Sequence, residues 1–268
     1  MGAEIQNKSL RVIAFGASAG GLQSLRPIIA NLRPNGINAY IIAHHLAPDN
    51  ESNLVEILGT NAKLTVRTVI NGETINPDCV YVCPPGKNIE IQGASLALSP
   101  KDTSAFFSPS VDRLFCSLAE NFGEKSIGIV LSGSGKDGAV GAETINRLGG
   151  LVIALAPDKA VQPSMPEAVI QSGHADLVGG SEQITDWLND IASLSDILSL
   201  HATDSANDVF AELFRLVSTK TGVDLRQYKE TTLRRRTIRR FRNLGYSSLE
   251  EYLIKVRTDS GELHELMQ

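Results

Sequence analysis

The chain has 268 residues, 42% of them hydrophobic and 21% charged, with a formal net charge of -5; this describes an ordinary globular protein with material for a sizeable core. No apolar run approaches the about 20 residues needed to cross a bilayer, and the opening M-G-A-E-I-Q has no signal-peptide core, so a soluble, cytoplasmic protein is expected. Cys79, Cys83 and Cys116 are odd in number, which excludes a disulfide framework and predicts reduced, buried thiols; Cys79 and Cys83 alone are too few for a structural zinc site, and no metal or cofactor is called for.

Over the first 180 residues, short β-branched or apolar runs alternate with helix-like segments, the pattern of a parallel sheet covered on both faces. Strands are expected at Leu10 to Phe15, Ala39 to Ala43, Lys63 to Val69, Val80 to Cys83, Ile127 to Ser132 and Leu151 to Leu155. Helices are expected near Leu22 to Leu32, Ser52 to Leu58, Val111 to Asn121, Ala139 to Leu148 and Pro166 to Ser172. Residues 70 to 100 read as turns and short antiparallel strands. After Trp187 the pattern is purely helical, with a polar linker around His201 to Asn207 and helices near Val209 to Thr221, Thr231 to Leu244 and Ser248 to Val256. Charge changes sign along the chain. The first 200 residues hold thirteen Lys+Arg against twenty Asp+Glu, and the remainder twelve against ten, which suggests two units with different surfaces.

The first strand ends in G-A-S-A-G-G, Gly16 to Gly21. It fits the nucleophile elbow G-x-S-x-G, in which glycines flank a serine presented by a sharp strand-to-helix turn. A dinucleotide loop shares the outer glycines, but Ser18 stands where its second glycine should be and no acid closes the next strand. A serine between glycines is by itself more often a loop or a cap. In open parallel sheets, however, ligands bind beyond the carboxyl ends of the strands, so polar groups placed there can converge. Ser18 follows the first strand, His45 the second, and Asp137 lies in S-G-S-G-K-D-G after a later one. They supply a nucleophile, a base and a carboxylate to orient the base. His44 and His45 point oppositely, so one at most faces the site. The bland readings are a structural histidine, an N-cap role for Asp137 at the helix it precedes, and capping by Asp112. A P-loop fails because Val130 and Asp137 replace required residues.

The segments G-A-S-A-G-G, H-H-L-A-P, P-P-G-K-N, S-P-S-V-D-R-L-F, V-L-S-G-S-G-K-D-G-A-V-G and Q-P-S-M-P-E-A-V resemble, in order and spacing, the catalytic domain of the CheB family of chemoreceptor protein-glutamate methylesterases. The resemblance implies hydrolysis of glutamyl methyl esters on receptors, often with glutamine deamidation. By motif, Ser18 matches the family nucleophile, His45 the base and Asp137 the acid. The amides of Ala19 and Ser134 are the expected oxyanion donors, although many relatives carry a hydroxyl residue at the first position and Met at the second. The family's N-terminal receiver domain has no counterpart before the first expected strand at Leu10, so control by such a domain in cis is not expected.

The segment G-V-D-L-R-Q-Y-K-E-T-T-L-R-R-R-T-I-R-R-F-R-N-L-G-Y is similar to the N-terminal helical subdomain of CheR-family chemoreceptor methyltransferases. Leu233, Thr237, Phe241 and Leu244 form its core-facing stripe. Arg234, Arg235 and Arg239 are the candidate contacts to an acidic receptor helix, against the plainer reading of a solvated face. Nucleic acid is disfavoured by the acidic chain and the lack of interleaved aromatics.

The expected architecture is therefore a three-layer α/β domain, a mostly parallel doubly wound sheet with a small antiparallel portion, over residues 1–192. A linker at 193–206 and a small all-α domain at 207–268 follow. The arrangement predicts a fragment of an esterase-methyltransferase fusion whose S-adenosylmethionine-binding part lies elsewhere. A small-molecule esterase and a non-catalytic signalling scaffold are the competing functions.

Overall fold

The computed structural model describes residues 10–45, 53–101, 108–190, 204–225, 230–246 and 248–266. These fall into two compact units divided between Asn189 and Asp190. In the first, the strands are β1 (Arg11–Ala17), β2 (Asn38–His44), β3 (Thr65–Thr68), β4 (Cys79–Val82), β5 (Lys87–Gln92), β6 (Ser95–Pro100), β7 (Ser126–Val130), β8 (Leu151–Leu155) and β9 (Leu177–Gly179). Its helices are α1 (Gly21–Asn31), α2 (Leu54–Gly59), α3 (Val111–Phe122), α4 (Ala139–Arg147), α5 (Ser164–Gln171) and α6 (Ser181–Asn189).

Seven strands pair in parallel in the order β3-β4-β2-β1-β7-β8-β9, and β5 and β6 form a separate antiparallel hairpin. Near-continuous apolar strands demand cover on both faces. Every residue of β7 and β8 is buried, and α1 packs with α2 and α6 while α3 packs with α4 and α4 with α5. The fold is thus the doubly wound α/β architecture read from the alternation of segments. From β1 the chain moves to β2 on one side, whereas β7, the neighbour of β1 on the other side, leads on to β8. The helices that follow β1 and β7 therefore lead away in opposite directions, the position at which open α/β sheets place their ligand sites.

Two elements escape the sequence pattern. β9 has only three residues, and its central Val178 is 44% exposed at the sheet edge, so it carries no burial signature; α6 follows directly. The expected helix start at Ser52 and linker residues 193–203 lie outside the described residues.

The second unit contains α7 (Asp204–Thr221), α8 (Glu230–Asn243), α9 (Leu249–Thr258) and α10 (Ser260–Glu265). Helix α7 begins inside the stretch expected as linker. Phe210, Leu213, Val217, Ile238, Phe241, Tyr252 and Val256 form its core. Thr237 and Phe241 are buried as the stripe predicted, but Leu244 is 45% exposed: it lies past the last turn of α8, and Ile238 takes the core position instead.

Glu262, 6% exposed, accepts from Arg240 Nε at 2.9 Å and from Tyr252 Oη at 2.7 Å. Burial pushes this carboxyl up, but the Arg240 and Tyr252 bonds outweigh it and hold it below the usual range. A depressed folded value contributes stability that is present above the unfolded pKa, about 4.3, and lost as pH falls through the folded one. Glu262→Gln should therefore weaken α9 by about 1 to 2 kcal/mol at pH 7, discounted for the partly exposed arginine. Amide exchange over residues 249–258 checks this; a difference from the parent that fails to shrink toward pH 3 would contradict it.

Candidate active site

The site begins with β1 running into its turn. The Ser18 amide donates to the Ser132 carbonyl at 2.9 Å, and the Ser18 carbonyl accepts from the Gly21 amide at 2.8 Å, closing the turn into α1. Gly20 has φ +76, and a Cβ there would sit 2.4 Å from Val161 Cβ. Only glycine meets both conditions. Ser18 is 8% exposed, and its hydroxyl makes no hydrogen bond with the described residues.

Parallel register brings the histidine alongside. Ala17 is paired with His44, and the His45 amide donates to the Ala17 carbonyl at 2.9 Å, so Ser18 and His45 leave adjacent strands at the same level. The His45 Nε2 lies 2.8 Å from Asp137 Oδ2, with the two side chains 7% and 9% exposed. The structure thus joins His45 to Asp137 directly and sets Ser18 beside them by backbone, with no bond from Ser18 Oγ to His45 in this conformation. His44 takes the other face, its Nε2 3.5 Å from where a Cβ on Gly21 would stand. Burial, and then the charge of His45, lower its pKa to about 4. It is neutral at pH 7 and a poor base.

Asp137 was expected, on the plainer reading, to cap the helix it precedes, and it does not. Gly138 is the N-cap of α4. Asp137 closes α3 instead: its Oδ2 accepts from the Val111 amide at 2.8 Å and its Oδ1 from the Asp112 amide at 2.9 Å. Asp112 returns the arrangement, its Oδ1 accepting from the Gly138 amide at 2.9 Å and the Gly141 amide at 2.7 Å at the start of α4. Each acid supplies what the other's helix lacks, because the first amides of a helix have no partner within it. Close packing makes the exchange feasible: a Cβ on Gly141 would lie 2.4 Å from Phe115 Cβ.

Burial pushes the Asp137 carboxyl up, but the His45 ring and the Val111 and Asp112 amides more than offset this and hold it below the usual carboxylate range. Asp112 goes the other way, raised by burial and by the charge of Asp137 despite its bonds to the Gly141 and Gly138 amides. The pair therefore divides into one firm anion and one acid less ready to ionise.

Residues that the sequence reading passed over complete the support. Asn88, 2% exposed on β5, accepts from the Ser110 amide at 2.9 Å. Ser110 is the N-cap of α3, accepting from the Arg113 amide at 3.3 Å, and its Oγ reaches Asp137 Oδ1 at 3.4 Å. Among the described residues, no protein group takes the amide hydrogens of Ala19 or Ser134.

In the second unit, Arg234 turns inward. It pairs with Glu230 at 2.6 Å, lies with Cζ 4.7 Å from the Phe210 ring centroid, and is 17% exposed. The side chains of Arg235 and Arg239 lie outside the described residues.

Comparison with known families matches residues 13–188 to CheB methylesterase and residues 208–268 to the CheR methyltransferase all-alpha domain. A protein-glutamate methylesterase/protein-glutamine glutaminase of Desulfitobacterium hafniense is 33% identical over 174 residues, which cover 63% of this chain and 44% of that protein. One from Carboxydothermus hydrogenoformans is 36% identical, covering 61% and 50%. The crystal structure of the Thermotoga maritima CheB methylesterase catalytic domain superposes with a TM-score of 0.64 at 32% identity, covering 68% of this chain and 99% of that one. The chain spans about half the length of the curated relatives it matches. No helix among the described residues is long and apolar enough to cross a membrane. A doubly wound sheet with a serine turn, a histidine and an acid at its switch point, together with these matches, leads to one assignment: the chain belongs to the CheB methylesterase family, and its helical second unit is a CheR-type all-alpha domain.

Proposed function

We propose that residues 13–188 hydrolyse glutamyl methyl esters on a chemoreceptor or similar signalling protein, with Ser18 as nucleophile, His45 as base and Asp137 as the acid that orients it. The observation that carries this reading is the 2.8 Å bond between His45 Nε2 and Asp137 Oδ2 beside the Ser18 turn. With Nε2 committed to the carboxylate, Nδ1 is the nitrogen that takes the Ser18 proton. The Ser18 hydroxyl, bonded to none of the described residues, turns toward it when the ester arrives, since catalytic hydrogen bonds commonly tighten only with substrate present.

Attack by Ser18 Oγ on the ester carbonyl forms the tetrahedral oxyanion, which the Ala19 and Ser134 amides stabilise. Its collapse expels methoxide, protonated by His45 to methanol, and leaves a glutamyl ester on Ser18. Water, deprotonated by His45, then releases the glutamate. A glutamine side chain entering the same path releases ammonia, which accounts for deamidation. The methylated receptor is the partner and the cytoplasm the compartment. The S-adenosylmethionine-dependent methyltransferase activity of a CheR-type protein is expected from another part of the full-length protein.

Incubating the chain with methylated receptor should release methanol, and a fluorophosphonate should leave a single covalent adduct on the peptide containing Ser18. Absence of methanol with intact, folded protein rules out the esterase reading, and an adduct confined to another residue rules out the assigned nucleophile.

A further inference from the structure

We propose that Ser132 is a positioning residue for the ester hydrolysis, aiming the oxyanion-binding amides through a hydroxyl that never touches substrate. This rests on the reading of Ser18 and the Ala19 and Ser134 amides given above. Ser132 follows β7 and is fully buried at 0% exposure. Its Oγ donates to the Ala19 carbonyl at 2.8 Å and accepts from the Gln162 amide at 2.9 Å, with the Gln162 carbonyl farther away at 3.3 Å. Its own carbonyl accepts from the Ser18 amide at 2.9 Å.

Peptide planarity turns these bonds into an aiming device. In a trans peptide the N-H points opposite to the preceding C=O. The Gly21 amide fixes the Ser18 carbonyl at 2.8 Å, which sets the Ser18–Ala19 peptide and so the direction of the Ala19 N-H. Ser132 Oγ fixes the next peptide by its carbonyl. With both planes flanking Ala19 held, that residue keeps little freedom to swing its amide. Ser132 also ties the second donor to the first. Gly133 donates to the Gln162 carbonyl at 2.9 Å and accepts from the Met165 amide at 3.0 Å, so the 132–134 segment, the 162–165 segment and the serine turn share one hydrogen-bonded clasp. There is no slack nearby: a Cβ on Gly133 would lie 2.1 Å from Met165 Sδ and 2.7 Å from Ser18 Cβ.

An amide that is displaced loses part of what a removed donor would, and removal costs about 10²- to 10³-fold in kcat. Ser132→Ala should therefore lower kcat for methanol release by about 10- to 100-fold while KM stays within about threefold, because the amides act on the oxyanion and not on the bound ester. Ser132→Thr, which keeps the hydroxyl, should recover most of the rate. Should the alanine variant fail to fold, Ser132→Cys, close in size with a weaker donor, carries the same expectation of a kcat loss at steady KM. A Ser132→Ala or folded Ser132→Cys enzyme with kcat within twofold of the parent overturns the proposal, as does an equal loss with threonine. Ser18→Ala separates the two levels: an active Ser18→Ala enzyme sinks the nucleophile assignment itself, whereas an inactive one beside a fully active Ser132→Ala sinks only the role of Ser132.

Discussion

Replacing Ser18 with alanine should lower methanol release by about 10⁴-fold or more, with folding stability unchanged within about 0.5 kcal/mol. The two halves of this expectation come from different atoms. The turn is held by the Ser18 amide on Ser132 and the Ser18 carbonyl on Gly21, both backbone groups that alanine retains. The hydroxyl contributes only its reactivity, having no hydrogen bond with the described residues. What rate survives would come from the oxyanion amides and from binding. Methanol release under saturating receptor, read beside a thermal melt, checks both halves; a rate within tenfold of the parent would remove Ser18 from the mechanism.

Asp137→Asn should also be severe, by about 10³- to 10⁴-fold in kcat, and unlike the serine change it should cost stability as well. The carboxylate accepts from His45, Val111 and Asp112 at once. An amide side chain has one acceptor oxygen and one donor nitrogen, so whichever way it is turned, an NH₂ faces a donor. Turned toward Nε2, it forces the proton onto Nδ1, the atom that the proposed mechanism needs for the Ser18 proton. Turned the other way, it sets donor against donor at the start of α3. Loss of a buried charged acceptor there is worth about 2 to 4 kcal/mol. Because the Asp137 pKa is depressed, the stabilisation is complete above the ordinary carboxyl value, about 3.9, and disappears only as pH falls through the folded one. Denaturation at pH 7 and pH 3 tests the sign: the gap between parent and variant should close in acid.

The three side chains proposed for the site could be picked out in the sequence because Ser18 and His45 stand just past strands and Asp137 lies in the loop that follows β7, and a parallel sheet places all strand ends on one rim. Their support was hidden for a physical reason. The exchange of caps between Asp112 and Asp137 depends on two helix starts meeting across 25 positions, and a local reading of D-G-A-V-G sees only the helix that follows it. Ser132 and Asn88 act through hydrogen bonds whose partners lie 30 and 22 residues away, with no local pattern to mark them. In the second unit, arginines flanking an apolar stripe read as a solvated or docking face. Arg234 instead closes over Phe210 because a guanidinium can stack on an aromatic ring and pair with Glu230 at once.

The swap of carboxylates between α3 and α4 bears on how the proposed chemistry would decay in descendants of the domain. A lineage freed from the need to cleave esters could discard the hydroxyl at position 18 with no harm to folding, yet position 137 would stay acidic for the sake of the neighbouring helix. An aspartate at that place is thus a poor witness to a working enzyme, and the serine a good one.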